Sequence, residues 1–316
     1  MKKILCFALA ILTFATALSG CGAVQKENKK ISIVCTNFSV FDWINEIIGK
    51  ESDCSEEYDI TLLAKNGDIH SYQPTAQDIA KIINCNLLVY VGGSSDIWTE
   101  EIAEKNNINA LKLFDVLDEN LLCSTNDHGE GEHTHTEEDC DEHIWLSLKM
   151  AQNSVLAICD KLCDIDEKNS DEYKKNAVGY TMLLDNLDEQ YKQAVESSAD
   201  KTIVFPDRFP FAYMAEDYGI RCFSAFPGCS ADTDASFGVI ADLAEAVDKY
   251  DKNTVLVLEN SALSVAETVI ESTEQKTAKT AIMNSCQSIS EAEFERGISY
   301  LKIMEENLES LKMALQ

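Results

Sequence analysis

The chain has 316 residues, of which 45% are apolar, so it is long and apolar enough for one large or two ordinary domains and is not a disordered chain. Its 55 acidic and 26 basic residues give a formal net charge of −29, which argues against binding a nucleic-acid backbone because the carboxylates repel phosphates. The 12 cysteines are too few, at this length, for a fold built on disulfides.

The start of the chain has the pattern of an export signal. Residues 1–20 open with two lysines and continue with an apolar run that is too short and wrongly flanked to span a membrane. The run ends in Leu18–Cys21, the small-residue-plus-cysteine pattern of a bacterial lipoprotein signal. We therefore expect Cys21 to be lipidated, residues 21–30 to form a polar tether, and the protein to be anchored outside the cytoplasm. An ordinary signal peptide cut nearby is the alternative.

Strands and helices alternate along the rest of the chain, which indicates parallel α/β sheets. The predicted strands are at 31–35, 58–64, 86–91, 110–113, 201–205, 221–226, 254–259 and 279–283. The predicted helices are at 41–50, 75–83, 97–106, 211–218, 236–248, 262–271 and 291–315. A helical segment that starts at 145 continues, with interruptions, to about 198.

This order predicts an α/β fold of two similar lobes joined by one long rigid helix. The N-terminal lobe is expected at 31–150, the connecting helix at 151–199 and the C-terminal lobe at 200–316. Within the first lobe, residues 123–141 break the alternation with a polar, acidic, His-rich loop.

The five histidines all lie between positions 70 and 143. His70 follows a predicted strand and turn, at the edge of the sheet where open α/β folds place ligands. His143 precedes the long helical segment and follows Asp141 and Glu142, two acids able to orient an imidazole by hydrogen bonding. Imidazole is the commonest metal ligand among side chains, so both are candidate ligands. A solvated or core histidine is the alternative for each.

Three further histidines lie in the acidic loop. His128, His133 and His135 stand among acids and two glycines in a segment that cannot form a core. Such a composition binds metal cations weakly. We expect a flexible charged loop with weak metal affinity that is separate from the main site.

Several segments resemble metal-binding receptors of ABC uptake systems, the zinc and manganese class. Residues 67–79 and 141–147 are similar to the two His motifs of that family, and the acidic His-rich loop before the second motif is similar to its zinc members. Residues 211–220 resemble its third motif, and 300–311 its C-terminal helix. The resemblance covers essentially the whole chain.

The resemblance implies a metal in the cleft between the lobes. The family typically uses a His from each of the first two motifs, a His or Glu from the third, and an acid from the second lobe, which assigns His70 and His143 here. The chain departs from this pattern because no His follows position 143. In the third motif Asp207 is the coordinating side chain, since the adjacent Arg208 cannot bind a cation. A cap, or a partner for Arg208, is the alternative role of Asp207.

The fourth ligand of the family has no acidic counterpart near 283–287. Cys286 as a zinc thiolate and Glu259 at a strand end are the candidates, and water is another. A Cys229–Cys286 disulfide is the alternative for Cys286 in an oxidising compartment.

The sequence therefore predicts an extracytoplasmic receptor that captures Zn²⁺ and delivers it to an ABC importer. The expected partners are the permease and ATPase of that importer and the membrane through the lipid anchor, with no nucleic acid, and the chain is expected to be a monomer and not an enzyme. A manganese receptor of the same class is the alternative. Less favoured are a zinc hydrolase with Glu142 as general base, and an adhesin with a structural metal.

Cys159 and Cys163 are spaced i, i+4 on a predicted helix. This spacing suits a stripe of core residues or a shared metal, and the core is favoured.

Overall fold

The first lobe is a four-stranded parallel sheet in the computed structural model, which describes residues 30–49, 53–65, 69–117, 141–228, 235–287 and 289–316. The strands are β1 (Ile31–Cys35), β2 (Tyr58–Leu62), β3 (Leu87–Tyr90) and β4 (Ala110–Lys112), in the order β2-β1-β3-β4. The helices between them are α1 (Phe38–Ile48), α2 (Ala76–Asn84) and α3 (Ile97–Asn106). Strand β3 is buried along its whole length because helices cover both faces of a parallel sheet, which explains its unbroken apolar run.

The second lobe has four parallel strands in a similar arrangement, hydrogen-bonded as two two-stranded sheets. Its strands are β5 (Thr202–Phe209), β6 (Arg221–Pro227), β7 (Thr254–Leu258) and β8 (Lys279–Met283). Strand β5 pairs in parallel with β6, and β7 pairs in parallel with β8. Because β5 also lies against β7, the spatial order is β6-β5-β7-β8, the same order as in the first lobe.

Five helices complete the second lobe in the described part of the chain. They are α6 (Ala212–Tyr218), α7 (Phe237–Lys249), α8 (Ser264–Ser272), α9 (Glu291–Glu295) and α10 (Tyr300–Ala314). The sequence predicted one final helix over 291–315, but the chain breaks between α9 and α10. Ser299 begins α10 by accepting a hydrogen bond from the Lys302 amide, and the Tyr300 amide donates to buried Asp42 of α1 at 2.9 Å.

The segment predicted as a single connecting helix is two helices, α4 (Leu148–Ile165) and α5 (Ser170–Ser197). Asp166 ends α4, and its Oδ2 accepts hydrogen bonds from Tyr58 (3.1 Å), Tyr173 (2.6 Å) and Asn169 (2.7 Å). The two helices then pack against each other. With 28 residues, α5 is about 42 Å long, and it contacts α1 in the first lobe and α10 in the second. It is therefore the long helix that joins the lobes.

One buried apolar cluster runs through both lobes. It contains Trp43 and Ile144 from the first lobe and Phe205, Leu256 and Met304 from the second. Smaller clusters lie within each lobe alone. Of the helices that the described residues form, none has the length and apolarity that crossing a membrane requires.

Candidate metal site

His70 and His143 lie on short turns at the carboxyl edge of the first sheet. His70 is in a 3₁₀ turn, Ile69–Ser71, after β2, and its side chain is 18% exposed. His143 directly precedes another 3₁₀ turn, Ile144–Leu146, and is 3% exposed. The chain then enters α4, which Ser147 caps through a hydrogen bond from the Met150 amide. In the described part of the chain, each histidine thus lies in or directly beside a short local turn.

The two imidazoles face each other through their Nε2 atoms, which are 3.2 Å apart. Two nitrogens bound at about 2.0–2.1 Å to one tetrahedral zinc ion stand about 3.3–3.4 Å apart, so the separation suits a shared zinc ion. This is the pair that the sequence predicted, and the structure brings it together across 73 residues.

Carboxylates on the far sides of the rings fix the tautomers. The Nδ1 of His143 is 2.6 Å from Asp141 Oδ1, and the Nδ1 of His70 is 2.8 Å from Glu142 Oε1. Ionised carboxylates only accept hydrogen bonds, so each Nδ1 must carry the proton and donate. In the neutral rings both Nε2 atoms then present lone pairs to each other, an arrangement that a cation between them would stabilise.

Glu142 is held in place by the turn after β3. Its Oε2 accepts from the Ser95 amide at 2.8 Å, and its Oε1 accepts from the Ser95 hydroxyl at 2.8 Å. Burial alone would raise the pKa of Glu142, but His70 and the Ser95 amide outweigh it and lower the pKa to about 2. Gly93 makes room for this side chain: its φ is +81°, and a Cβ there would lie 2.7 Å from the Glu142 Cβ.

The roles of the two acids differ from the sequence-based expectation. Asp141 and Glu142 were both expected to orient the neighbouring His143, but Glu142 instead reaches His70. Ser95 was not predicted at all. The sequence signal for it was a Gly-Gly-Ser-Ser turn after β3, at the same sheet edge as His70.

The third expected ligand, Asp207, links two strands of the second lobe. It lies at an irregularity in β5, where the pairing with β6 shifts register between Phe205 and Arg208. Its Oδ1 accepts from the Arg208 amide at 2.8 Å, and its Oδ2 accepts from the Leu258 amide at 3.3 Å. Both contacts are with backbone amides of strands, and each oxygen keeps a lone pair that can bind a cation.

Glu259 faces the same space as Asp207. Both line a cavity of about 110 Å³ together with Arg208, Ser285 and Gln287. The Glu259 carboxylate accepts from the Ser285 amide at 2.8 Å and from its hydroxyl at 2.6 Å. Burial raises the pKa of Glu259 to about 7, even though Ser285 and Arg208 act in the opposite direction. The two acidic candidates of the second lobe therefore share one cavity.

Cys286 lies in the interior of the protein. Its thiol is free and fully buried in the core shared by the lobes, and burial raises its pKa well above the ordinary value. The free thiol does not match the alternative of a Cys229–Cys286 disulfide, and the role of Cys286 as a zinc thiolate stays a prediction. The backbone of Cys286 itself has a positive φ of +59°. Cys229 itself lies outside the described residues.

The second lobe holds the His143 motif in place through side chains. Trp145 donates from Nε1 to the Ser285 carbonyl at 2.8 Å, and its own carbonyl accepts from the Tyr300 hydroxyl at 2.6 Å. The Tyr213 hydroxyl donates to the Asp141 carbonyl at 2.7 Å. Since Ser285 also binds Glu259, Trp145 connects the imidazole pair to the acidic cavity through one residue.

The described residues contain no group of three or more His, Cys, Asp and Glu side chains arranged to hold a metal ion. The predicted set of His70, His143 and Asp207 is therefore assembled only as far as its two imidazoles. His128, His133 and His135 of the acidic loop lie outside the described residues, as does Cys21.

Comparison with known proteins identifies the family. The family model described as ZnuA, zinc-uptake complex component A, periplasmic, matches residues 33–314. The chain belongs to the ZnuA family. Zinc-binding lipoprotein AdcA of Streptococcus pneumoniae strain R6 is 28% identical over 316 residues, which cover 99% of this chain and 61% of AdcA. The high-affinity zinc uptake system protein ZnuA of Bacillus subtilis is 27% identical over 308 residues, covering 93% of this chain and 90% of that protein.

Solved structures support the ZnuA-family fold over both lobes. The Zn(II)-bound ZnuA-like domain of S. pneumoniae AdcA superposes with a TM-score of 0.72 at 26% identity, covering 90% of this chain and 98% of that one. The metal-dependent lipoprotein YcdH of B. subtilis, at 24% identity, has the same fold with a TM-score of 0.72. The predicted two-lobed α/β architecture is thus confirmed.

Proposed function

We propose that this ZnuA-family chain captures Zn²⁺ outside the cytoplasm and delivers it to the permease of an ABC importer. The observation that carries the proposal is the pair of Nε2 atoms 3.2 Å apart, with both Nδ1 protons directed to carboxylates. Two imidazole lone pairs held at this distance can bind one cation between them. Relatives named for zinc binding and zinc uptake support the same function.

The proposed ligands are His70, His143 and an acid of the second lobe, with water completing the shell. Asp207 and Glu259 are the candidates because both face the cavity that Ser285 and Trp145 connect to the imidazoles. Binding then draws that cavity wall towards the imidazole pair, so the loaded and empty receptors differ in shape. This difference would let the permease recognise the loaded receptor.

Zinc is the proposed ion because nitrogen ligands predominate in the assembled part of the site. Imidazole suits Zn²⁺, whereas Mn²⁺ prefers carboxylate, carbonyl and water oxygens. Manganese remains the alternative cargo, since both second-lobe candidates are carboxylates.

The structure favours a receptor over a zinc hydrolase. A hydrolase needs a general base within reach of a metal-bound water. Glu142 was the candidate base, but it binds His70 and Ser95 and has a pKa lowered to about 2. A carboxylate with these contacts and this low basicity is a poor general base. It is better suited to orienting the His70 ring for metal binding.

The proposed partners are the permease and ATPase of the importer and the membrane, with lipid attached to Cys21 and the chain acting as a monomer. The chain spans about 61% of the length of AdcA, so the activity and partners of that relative reach this chain only as a proposal. Mass spectrometry of the mature protein should find a diacylated Cys21 at the N-terminus. An unmodified N-terminus at another residue would contradict the anchor.

The test of the function is calorimetric titration of the metal-free protein with Zn²⁺ and, in parallel, Mn²⁺. The His70→Ala and His143→Ala variants should each lose affinity by about 100-fold or more, because removing a ligand costs more than the 10–100-fold of an outer-shell change. Asp188→Asn removes a half-buried carboxyl of α5 that accepts from Tyr218; it is the matched control and should bind like the parent. Asp207→Ala and Glu259→Ala then identify the acid of the second lobe.

If both histidine variants bind zinc like the parent, the proposed site is wrong. If they lose manganese binding more steeply than zinc binding, and the parent prefers manganese, the receptor assignment survives with the other cargo.

A further inference from the structure

Asp96 is a buried carboxylate in the turn that follows β3, one residue after Ser95. Its side chain is 2% exposed, and burial raises its pKa to about 6, so it is largely ionised at pH 7. Burying a charge is strongly unfavourable unless hydrogen bonds compensate it. The hydrogen-bond partners of Asp96 therefore indicate which part of the structure this acid stabilises.

These partners lie at the start of the same turn and on the neighbouring strand end. Its Oδ2 accepts from the Val91 amide at 2.9 Å and from the Gly92 amide at 3.1 Å. It also accepts from the hydroxyl of Thr36, the residue after β1, at 3.3 Å. The Asp96 amide in turn donates to the Gly93 carbonyl at 3.2 Å. The carboxylate thus joins the two ends of the turn to each other and to the edge of the sheet.

The turn needs such a contact because two consecutive glycines form it. Gly92 has φ +102° and Gly93 has φ +81°. Glycine has more backbone freedom to lose on folding than any other residue, so a Gly-Gly segment held only by its ends would adopt many conformations. The hydrogen bonds that Asp96 accepts at the start of the turn restrict the segment to the conformation observed.

The same turn holds the carboxylate that orients His70. Glu142 accepts from the Ser95 amide and hydroxyl, both at 2.8 Å, and from the Ser94 hydroxyl at 3.3 Å. Its Oε1 lies 2.8 Å from Nδ1 of His70. A continuous series of contacts therefore runs from Asp96 through the turn and Glu142 to the imidazole.

We propose that Asp96 is a positioning residue for zinc: it fixes the turn after β3 so that Ser95 holds Glu142 in place. Glu142 then keeps the Nδ1 proton of His70 and leaves Nε2 free for the metal. This inference rests on the proposed zinc function. Groups that orient a ligand change metal affinity by about 10–100-fold, and Asp96 acts one step further out, so we expect Asp96→Ala to raise the zinc Kd by about 10-fold.

The first test compares the zinc Kd of Asp96→Ala with that of Asp96→Asn, by competition with a zinc chelator. Asparagine keeps an oxygen that can accept from the Val91 and Gly92 amides, and its NH₂ group can donate to the Thr99 hydroxyl, which lies 3.4 Å from Oδ1. Asp96→Asn should therefore recover most of the affinity that Asp96→Ala loses. Asp166→Ala, which removes another buried carboxylate with several hydrogen bonds, controls for general destabilisation and should keep the parent Kd.

A second variant covers the case in which Asp96→Ala does not fold, as judged by circular dichroism. Asp96→Ser keeps a polar group in the same space, but its hydroxyl is one atom too short to reach the two amides. It should weaken zinc binding in the same way as alanine.

The second test asks whether Asp96 acts through Glu142. Effects of independent sites on the free energy of binding add, whereas effects of residues in one network do not. The double variant Asp96→Ala/Glu142→Ala should therefore bind zinc as Glu142→Ala alone does, because the turn then has no carboxylate to hold. In the metal-free protein, ¹⁵N NMR should show that Asp96→Ala lowers the population of the Nδ1–H tautomer of His70. His143, whose Nδ1 lies 2.6 Å from Asp141, should keep its tautomer.

Three results would overturn the proposal: a parent-like zinc Kd in a folded Asp96→Ala or Asp96→Ser variant, losses that multiply in the double variant, or an unchanged His70 tautomer. An equal loss in Asp96→Asn and Asp96→Ala would also contradict it, because the hydrogen bonds would then not be the cause. Failure of the proposed zinc function gives a different result, since His70→Ala would then bind zinc like the parent while the tautomer shift in the metal-free protein persisted.

Discussion

The substitution Glu142→Gln tests whether the site depends on fixed imidazole tautomers. In the parent, one carboxylate oxygen accepts from His70 Nδ1 and the other from the Ser95 amide, both at 2.8 Å. Glutamine keeps the shape but replaces one oxygen by an NH₂ group. If that group faces the Ser95 amide, two hydrogen-bond donors face each other and neither has an acceptor. If it faces His70, the Nδ1 proton loses its carboxylate acceptor and only the Ser95 hydroxyl oxygen, 2.7 Å from Nδ1, can accept it. The tautomer with the proton on Nε2, which lacks the metal-binding lone pair, then becomes more populated.

Either outcome weakens zinc binding. Changes in the groups that orient a ligand typically cost about 10–100-fold in metal affinity, which corresponds to about 1.4–2.8 kcal/mol. The range agrees with the cost of about 1–3 kcal/mol for a buried donor left without an acceptor. We therefore expect the Kd of Glu142→Gln for zinc to rise by 10–100-fold, measured by competition with a zinc chelator.

The matched control is Asp188→Asn, which removes a half-buried carboxylate bound to Tyr218 and should leave the Kd unchanged. A Kd for Glu142→Gln within twofold of the parent would refute the tautomer reasoning. The pH dependence separates the groups further. Because the pKa of Glu142 is lowered to about 2, this carboxylate stays ionised from pH 7 to 5. Loss of affinity in that window therefore comes from protonation of His70 and His143 and, where Glu259 is the second-lobe ligand, of Glu259, whose pKa is raised to about 7.

Three further predictions concern other parts of the chain. In the metal-free protein, folding favours the protonated form of Glu259, so its contribution to stability should fall as the pH rises from its ordinary pKa of 4.5 to about 7. Thermal melts recorded at several pH values measure this, and Glu259→Gln should remove the dependence. Deleting 123–140 should leave one tight zinc site per chain by calorimetry, because the main ligands lie elsewhere; loss of that site would contradict the weak role of the loop. Asp166→Ala should lower the free energy of unfolding by about 1–3 kcal/mol in urea, since Tyr58 and Tyr173 lose their acceptor, while zinc affinity stays unchanged.

The elements could be predicted from the sequence because buried strands of a parallel sheet are apolar on both faces. Strand β1, at Ile31–Cys35, and strand β8, at Lys279–Met283, have the bounds expected from the sequence. The break at Asp166 was not localised because helix periodicity continues on both sides of it. The cause is a tertiary contact, the acceptance of two tyrosine hydroxyls, that no local pattern contains.

The imidazole pair was predictable because residues 67–79 and 141–147 resemble the two His motifs of the family, and because His70 follows a strand at the edge of a parallel sheet. The second-lobe ligand was not, because its position depends on how loops turn. Cys286 looked available in a loop among polar residues, yet a positive φ turns it into the core. Asp207 looked like a lone acid, yet backbone amides of two strands engage it.

The apolar cluster that runs through both lobes determines whether fragments of this chain can fold on their own. Side chains such as Trp43 and Phe205 are completely buried within one continuous interior, so a cut between the halves would leave part of that interior in water. Exposed apolar area costs about 25 cal/mol per Å². Neither half is therefore expected to be a soluble recombinant fragment, and chimeras that exchange one half with a relative must also exchange the residues that face it. Calorimetric unfolding of residues 31–316 should accordingly show a single cooperative transition.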